Sequence, residues 1–173
     1  MACVKNNDEE SRLAWLAEGN VKQARKRVAA KAVIRDQDDR ILLVNPTYKE
    51  HWDLPGGMAE ANEPPRVALV REIAEELAVN VMAGRLLALD WVGPHGPWDD
   101  QLIFVFDGGA LASHVIDTMK IADSELSDFY FFPLHDAKRL LREDVATRLD
   151  RAISSLRTDV THYGEDQGAT YAD

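Results

Sequence analysis

Residues 57–79 constrain the fold of this chain more than any other stretch. A glycine-containing loop leads to Pro64 and Pro65, which suit the first turn of a helix because that turn tolerates a missing backbone N–H. Over residues 65–77 apolar side chains recur at steps of three and four, which predicts a helix with one apolar face. The predicted face consists of Val67, Val70, Ile73, Ala74 and Leu77.

Three glutamates, Glu72, Glu75 and Glu76, are spaced so that they share the other face of this helix. Like charges at this spacing repel one another, so the pattern requires a nearby cation, and Arg71 is adjacent. The cluster is either a solvated acidic surface or a site for a hard cation. Mg²⁺ and Mn²⁺ prefer oxygen ligands, and a bound metal would assist attack of water on a phosphate.

The same stretch resembles the Nudix hydrolase signature, Gly-x5-Glu-x7-Arg-Glu-apolar-x-Glu-Glu-x-Gly-apolar. The matching residues are Gly57, Glu63, Arg71, Glu72, Ile73, Glu75, Glu76 and Val79. Ala78 stands where the family has glycine, which would serve as a left-handed helix cap. Alanine in that conformation costs roughly 1 kcal/mol, unless the helix continues to Asn80. The preceding Trp-Asp-Leu-Pro-Gly-Gly and the flanking strand pattern extend the resemblance to about residues 28–141.

The resemblance implies the Nudix fold, an α/β/α sandwich with a mixed sheet between helices. The pattern of elements alone gives only the class α/β or α+β. The resemblance also implies a Mg²⁺-dependent hydrolase, with Mn²⁺ as a substitute, that cleaves a pyrophosphate bond. Its substrate would be a nucleoside diphosphate derivative of the nucleotide-sugar or ADP-ribose type, or a nucleoside triphosphate. The alternative is a Nudix-like domain that senses a nucleotide without cleaving it, although such a domain would be expected to lose ligand glutamates.

The residues of the Nudix box, residues 57–79, suggest roles in the implied reaction. The expected metal site consists of Glu72, Glu75, Glu76 and Gly57. Arg71 would orient a carboxylate by a charge-assisted hydrogen bond, and the Gly56-Gly57 turn would let the backbone approach a phosphate closely. Glu125 is a candidate metal ligand or general base. It precedes a strand, near the place where members of the family often have such a residue.

Aromatic residues outside the box are candidates for substrate binding, because stacking a base is worth roughly 1–3 kcal/mol. Tyr48 and Trp52 lie just before the box, and core packing is their alternative role. Trp98 lies in a Gly/Pro-rich loop, residues 93–100, which is either a substrate-recognition loop or an ordinary hairpin connection. The basic residues 24–27 are either a solvated lead-in to a strand or a phosphate contact.

Charge and composition limit the partners of this chain. Its formal charge of −10 argues against a nucleic-acid partner, which requires basic patches, but it permits an anionic small molecule held through a metal. Cys3 is the only cysteine, which excludes an internal disulfide. No apolar run has the length of a membrane span, and the first residues lack the features of a signal peptide. We therefore expect a cytoplasmic protein without a membrane partner; a homodimer is the commonest oligomer, but the sequence does not determine assembly.

The chain is predicted to contain one catalytic domain with two extensions. Residues 1–27 form an N-terminal extension with a helix, residues 28–157 the Nudix domain, and residues 158–173 a flexible polar tail. The predicted strands are 28–35, 40–44, 81–92, 101–107 and 129–132. The predicted helices are 9–23, 65–77, 134–141 and 145–156.

Overall fold

A computed structural model describes the backbone of residues 3–166 and the side chains of residues 8–166. The strands are β1 (Arg27–Arg35), β2 (Ile41–Pro46), β3 (Leu86–Val92), β4 (Gln101–Ala110), β5 (Leu126–Phe132) and β6 (His162–Asp166). The helices are α1 (Cys3–Val21), α2 (Pro65–Leu77), α3 (Ser113–Ile116), α4 (Leu134–Leu140) and α5 (Glu143–Thr158).

The strands form one mixed, six-stranded sheet in the order β5-β2-β1-β4-β3-β6. The pairs β1–β4 and β3–β6 are parallel, and the other three pairs are antiparallel. Successive side chains of a strand point to opposite faces, so β1 contributes to two separate clusters of buried residues. Ala30, Ala32 and Ile34 pack with α2, whereas Ala29 and Val33 pack with α4 and α5.

Helices cover both faces of the sheet, which confirms the expected α/β/α sandwich. The bounds of α2 agree with the prediction, but its predicted apolar face is wrong in part. Val67 is 53% exposed, whereas Ala68 and Leu69 are fully buried. Apolar residues lie on two sides of this helix, so periodicity alone did not determine which side faces the sheet.

Three predicted strand and tail boundaries are corrected by the structure. β3 begins at Leu86, because residues 81–85 are irregular. β4 continues through Gly108 and Gly109, since β1 still supplies partners there. Residues 162–166 of the predicted flexible tail form β6, whose backbone pairs with β3 at the sheet edge; residues 167–173 lie outside the described residues.

The N-terminal helix α1 begins at Cys3, earlier than the predicted residue 9. Its large apolar side chains are exposed, including Trp15 at 72% and Leu13 at 58%. No helix in the described part of the chain combines the length and apolar character needed to cross a membrane.

Candidate active site

Backbone hydrogen bonds join the loop before α2 to β1. Ala30 N–H donates to Gly57 O at 2.9 Å, and Ala32 N–H donates to Pro55 O at 3.0 Å. Gly56 has a φ of +110°, and a side chain there would overlap Ala30 O and the Leu69 side chain. This position therefore requires glycine both for its conformation and for its closeness to β1.

Arg71 is the cation that the glutamate cluster requires. Its Nε and Nη2 donate to the two carboxylate oxygens of Glu63 at 2.9 and 2.8 Å. Its Nη1 donates to Glu72 Oε1 at 2.8 Å and to Glu75 Oε2 at 3.0 Å. The hydrogen bonds from Arg71 lower the pKa of Glu63 to about 2, so this carboxylate is charged at neutral pH.

The three box glutamates have different surroundings. Glu72 lies against Gly57, where any side chain would overlap its carboxylate. Glu72 and Glu76 line a pocket, but Glu75 is not among the lining residues. The Glu75 side chain is 55% exposed and bonded to Arg71. Of the three glutamates predicted to share one face of α2, two thus line the pocket and the third, Glu75, does not.

Glu76 is a partly buried carboxylate beside a second group of charges. Burial raises the pKa of Glu76 to about 7, against the opposing effect of Lys31. Lys31 forms an ion pair with Asp53 at 3.2 Å, and Lys49 contacts the same Asp53 oxygen at 2.7 Å. Burial disfavours the charge on Asp53, but the two lysines outweigh it and hold the pKa of Asp53 well below its usual range. Because Asp53 takes much of the charge of Lys31, Glu76 is left without full compensation.

The pocket has a volume of about 580 Å³ and contains most of the predicted site. The predicted residues that line it are Glu72, Glu76, Glu125, Gly56, Gly57, Tyr48, Trp52 and Trp98. Arg71 and Glu75 are not part of its lining. The sequence therefore identified one wall of the pocket and three aromatic residues near it.

The three aromatic residues differ in exposure. Tyr48 is 69% exposed, so the alternative role of core packing is wrong for it. Trp52 lines the pocket and also packs edge-on against Phe132 at a centroid distance of 5.1 Å, so it has a packing role, and base stacking stays a prediction. Trp98 is 55% exposed, and the Arg27 guanidinium lies 4.6 Å from its ring centroid.

Several basic pocket residues were missed by sequence reasoning. Arg27 belongs to the basic stretch 24–27, for which the sequence predicts either a solvated lead-in or a phosphate contact. The other basic residues that line the pocket are Lys31, Lys49, Arg142 and Arg148. Lys31 had a usable signal, because a lone lysine among buried alanines on β1 requires partners inside the protein. Arg142 and Arg148 had none, because the contact of α5 with the pocket depends on the tertiary fold.

The residues present fit a hard divalent cation, although they do not form a complete ligand set. Among the described residues, no group of three or more His, Cys, Asp or Glu side chains is arranged to hold a metal ion. Two carboxylates nevertheless line the pocket, and one of them, Glu76, is incompletely compensated. Mg²⁺ typically takes one or two carboxylates together with waters and substrate phosphates, so Glu72 and Glu76 are a suitable protein contribution.

A family model described as "NUDIX domain" matches residues 25–155. Diphosphoinositol polyphosphate phosphohydrolase 2 of Homo sapiens is 41% identical over 66 residues, which are 38% of this chain and 37% of that protein. Diphosphoinositol polyphosphate phosphohydrolase 3-alpha of Mus musculus is 39% identical over 66 residues, which are 38% of this chain and 40% of that protein. The matches thus span less than half of these curated relatives.

Solved structures share the fold. A UDP-X diphosphatase superposes with a TM-score of 0.69 and 22% identity, covering 90% of this chain and 74% of its own. The NUDIX domain of Shewanella oneidensis NrtR, complexed with ADP ribose, gives a TM-score of 0.64 and 19% identity, covering 81% and 97%. At these identities the likeness is one of fold alone.

Proposed function

Because this chain belongs to the NUDIX family, we propose that it is a pyrophosphohydrolase that cleaves the phosphoanhydride bond of a small organic diphosphate. The observation that carries the proposal is the position of Glu72 and Glu76, which line the same pocket as the Gly56-Gly57 turn. Carboxylates beside a turn that a phosphate can approach closely suit metal-assisted phosphate chemistry.

In this proposal Glu72 and Glu76 hold Mg²⁺ or Mn²⁺, which when bound neutralises the diphosphate and lowers the pKa of an attacking water. Arg71 holds Glu72 and Glu75 by hydrogen bonds from one nitrogen, and Glu75, which does not line the pocket, keeps one oxygen without a bond to Arg71. Glu125, which also lines the pocket, is the candidate general base.

Two substrate classes are supported by different parts of the pocket. The exposed rings of Tyr48 and Trp98 favour a nucleoside diphosphate derivative or nucleoside triphosphate, because a base can stack on them. Five lysines and arginines favour a second candidate, a diphosphate on a heavily phosphorylated polyol: Arg27, Lys31, Lys49, Arg142 and Arg148. The named activities of the curated relatives support the second class, and the names of the structural neighbours support the first.

Hydrolysis assays with the wild-type protein test the proposal. Phosphate release should be measured with ADP-ribose, nucleotide sugars, nucleoside triphosphates and a diphosphoinositol polyphosphate, with Mg²⁺, with Mn²⁺ and with EDTA. We expect turnover of at least one substrate that depends on the metal. Binding without any turnover would instead support the nucleotide-sensing alternative. The cytoplasmic location and the homodimer stay predictions from the sequence.

The variant Glu76→Gln separates catalysis from binding. It should lose most of kcat while keeping the fold, because glutamine has nearly the same shape but binds a divalent cation poorly. The control is Glu10→Gln, which changes an exposed glutamate on α1 far along the chain from the pocket lining. Full activity of Glu76→Gln would remove the basis of the proposed metal site.

A further inference from the structure

We propose that the part of the pocket formed by α5 is a second anion-binding subsite, built on Arg148, for a phosphate group additional to the diphosphate that is cleaved. The subsite deepens the proposed function and rests on it for the identity of the cleaved bond. It would make the protein selective for substrates that carry phosphates in two places.

Arg148 has a buried guanidinium with one nitrogen, Nη2, that makes no hydrogen bond to a described residue and lies 3.6 Å from Asp144 Oδ2. Its side chain is 4% exposed and lines the pocket. Among the described residues its hydrogen bond is from Nε to Asp90 Oδ2, at 3.0 Å, whereas the buried Nη2 has no hydrogen-bond partner. Since a guanidinium carries five N–H donors and leaving a donor unpaired in the interior is costly, an anion that enters this end of the pocket and reaches Arg148 would complete the site.

Asp90 holds the Arg148 side chain from β3. Asp90 is 1% exposed on β3 and accepts hydrogen bonds from both Arg148 and Arg151, the latter at 2.8 Å. Asp144 lies 3.6 Å from Arg148 Nη2, beyond hydrogen-bond distance, and its oxygens accept from Arg142. Asp90 and Asp144 thus tie Arg142, Arg148 and Arg151 into one group of ion pairs beside the pocket.

The subsite and the proposed metal site belong to different layers of the fold. Glu72 and Glu76 lie on α2, and Arg142, Val145 and Arg148 lie at the beginning of α5, which covers the opposite face of the sheet. All five residues line one pocket. A single ligand could reach both sites only if it has anionic groups at two places, and a guanidinium binds phosphate well because its donors match phosphate oxygens in pairs.

Binding without metal tests the subsite independently of catalysis. Calorimetric titrations in EDTA would use myo-inositol hexakisphosphate, and adenosine 2′,5′-bisphosphate against AMP, to distinguish a phosphorylated polyol from a phosphorylated nucleotide. The variants are Arg148→Lys and the double change Arg148→Met with Asp90→Asn, which removes both partners of the buried pair. The control is Arg139→Gln, which removes an exposed arginine of α4 outside the pocket lining.

We expect the double variant to bind hexakisphosphate or the bisphosphate at least tenfold more weakly, with Arg148→Lys intermediate and Arg139→Gln unchanged. AMP, which has one phosphate, should bind more weakly than the bisphosphate to the wild type and should lose less affinity in the variants. The ligand whose affinity falls in the variants, hexakisphosphate or the bisphosphate, shows whether the second phosphate belongs to a polyol or to a nucleotide. Equal binding by all variants, or no binding of either polyanion by the wild type, would overturn the subsite.

Two further measurements make the result for the subsite unambiguous. One shows whether a variant is misfolded, and the other shows whether the proposed activity is present. Urea denaturation shows whether the double variant folds, and Arg148→Lys, which keeps the charge, decides the outcome if it does not. Hydrolysis of ADP-ribose by the wild type, measured with Mg²⁺, shows separately whether the proposed activity is present. Absence of all hydrolysis would refute the proposed function, whereas the EDTA titrations would still decide the subsite.

Discussion

Replacing Glu76 by glutamine should stabilise the metal-free protein above neutral pH. Burial raises the pKa of Glu76 from its ordinary 4.5 to about 7. A tenfold change in proton affinity corresponds to about 1.4 kcal/mol, so a charged Glu76 costs the folded state up to about 3 kcal/mol. Water in the open pocket screens part of this cost, and we expect glutamine to recover about 1–3 kcal/mol at pH 8.

The sign of the effect fixes its pH range. Because the folded protein holds the Glu76 proton more tightly than the unfolded chain, its contribution to stability is complete below pH 4.5 and is lost as the pH rises through about 7. Urea denaturation in EDTA should therefore show wild type and variant close together at pH 5 and separated at pH 8. Glu10→Gln serves as the control for removal of one negative charge.

Metal should reverse the order of stability. At a Mg²⁺ concentration one hundred times its Kd, binding to the folded state alone adds roughly 2.7 kcal/mol to the wild type, and Glu76→Gln should lose most of this gain. The solvated-surface interpretation of the glutamates predicts neither effect. A variant that is no more stable than wild type in EDTA at pH 8, or that keeps the full Mg²⁺ gain, would refute the reasoning.

Three other substitutions give separate tests. Ala78→Gly should raise the free energy of unfolding by about 1 kcal/mol, because Ala78 ends α2 with φ 52° and ψ 31°; an unchanged urea midpoint would contradict this. Trp98→Ala should raise KM and largely preserve kcat, with the exposed Trp15→Ala as control; a fall in kcat alone would argue against a binding role. Gly57→Ala should lower kcat strongly in a folded protein, because the added methyl overlaps the Glu72 carboxylate; unchanged kinetics would show that Glu72 can move without loss.

The sequence predicted those features that depend on near neighbours along the chain. The bounds of α2 were correct because Pro64 and Pro65 mark its start and apolar periodicity runs to Leu77. The alternative end at Asn80 was wrong, since Ala78 adopts the left-handed conformation.

Features set by the tertiary fold were not predicted. Spacing placed Glu75 on the same face as Glu72 and Glu76, but Glu75, which is hydrogen-bonded to Arg71, does not line the pocket. Arg148 reaches the pocket only because α5 packs across the sheet, and its partner Asp90 is 58 residues away in the chain. β6 is polar and short, so its strand conformation depends on the free edge of β3 rather than on its own residues.

The alternation of β1 divides its side chains between the pocket and the packing of α2. Arg27, Ala29 and Lys31 line the pocket, whereas Ala30 and Ala32 pack in the cluster with α2. A library at Arg27 and Ala29 would therefore change the lining of the pocket without changing a residue that packs with α2, whereas Lys31 also acts on the pKa of Glu76 on that helix. Enlarging either of the other two alanines would instead displace the helix and its glutamates with no change in the side chains that a ligand touches. Neighbouring residues of a single strand thus offer two independent routes by which relatives of this chain can diverge.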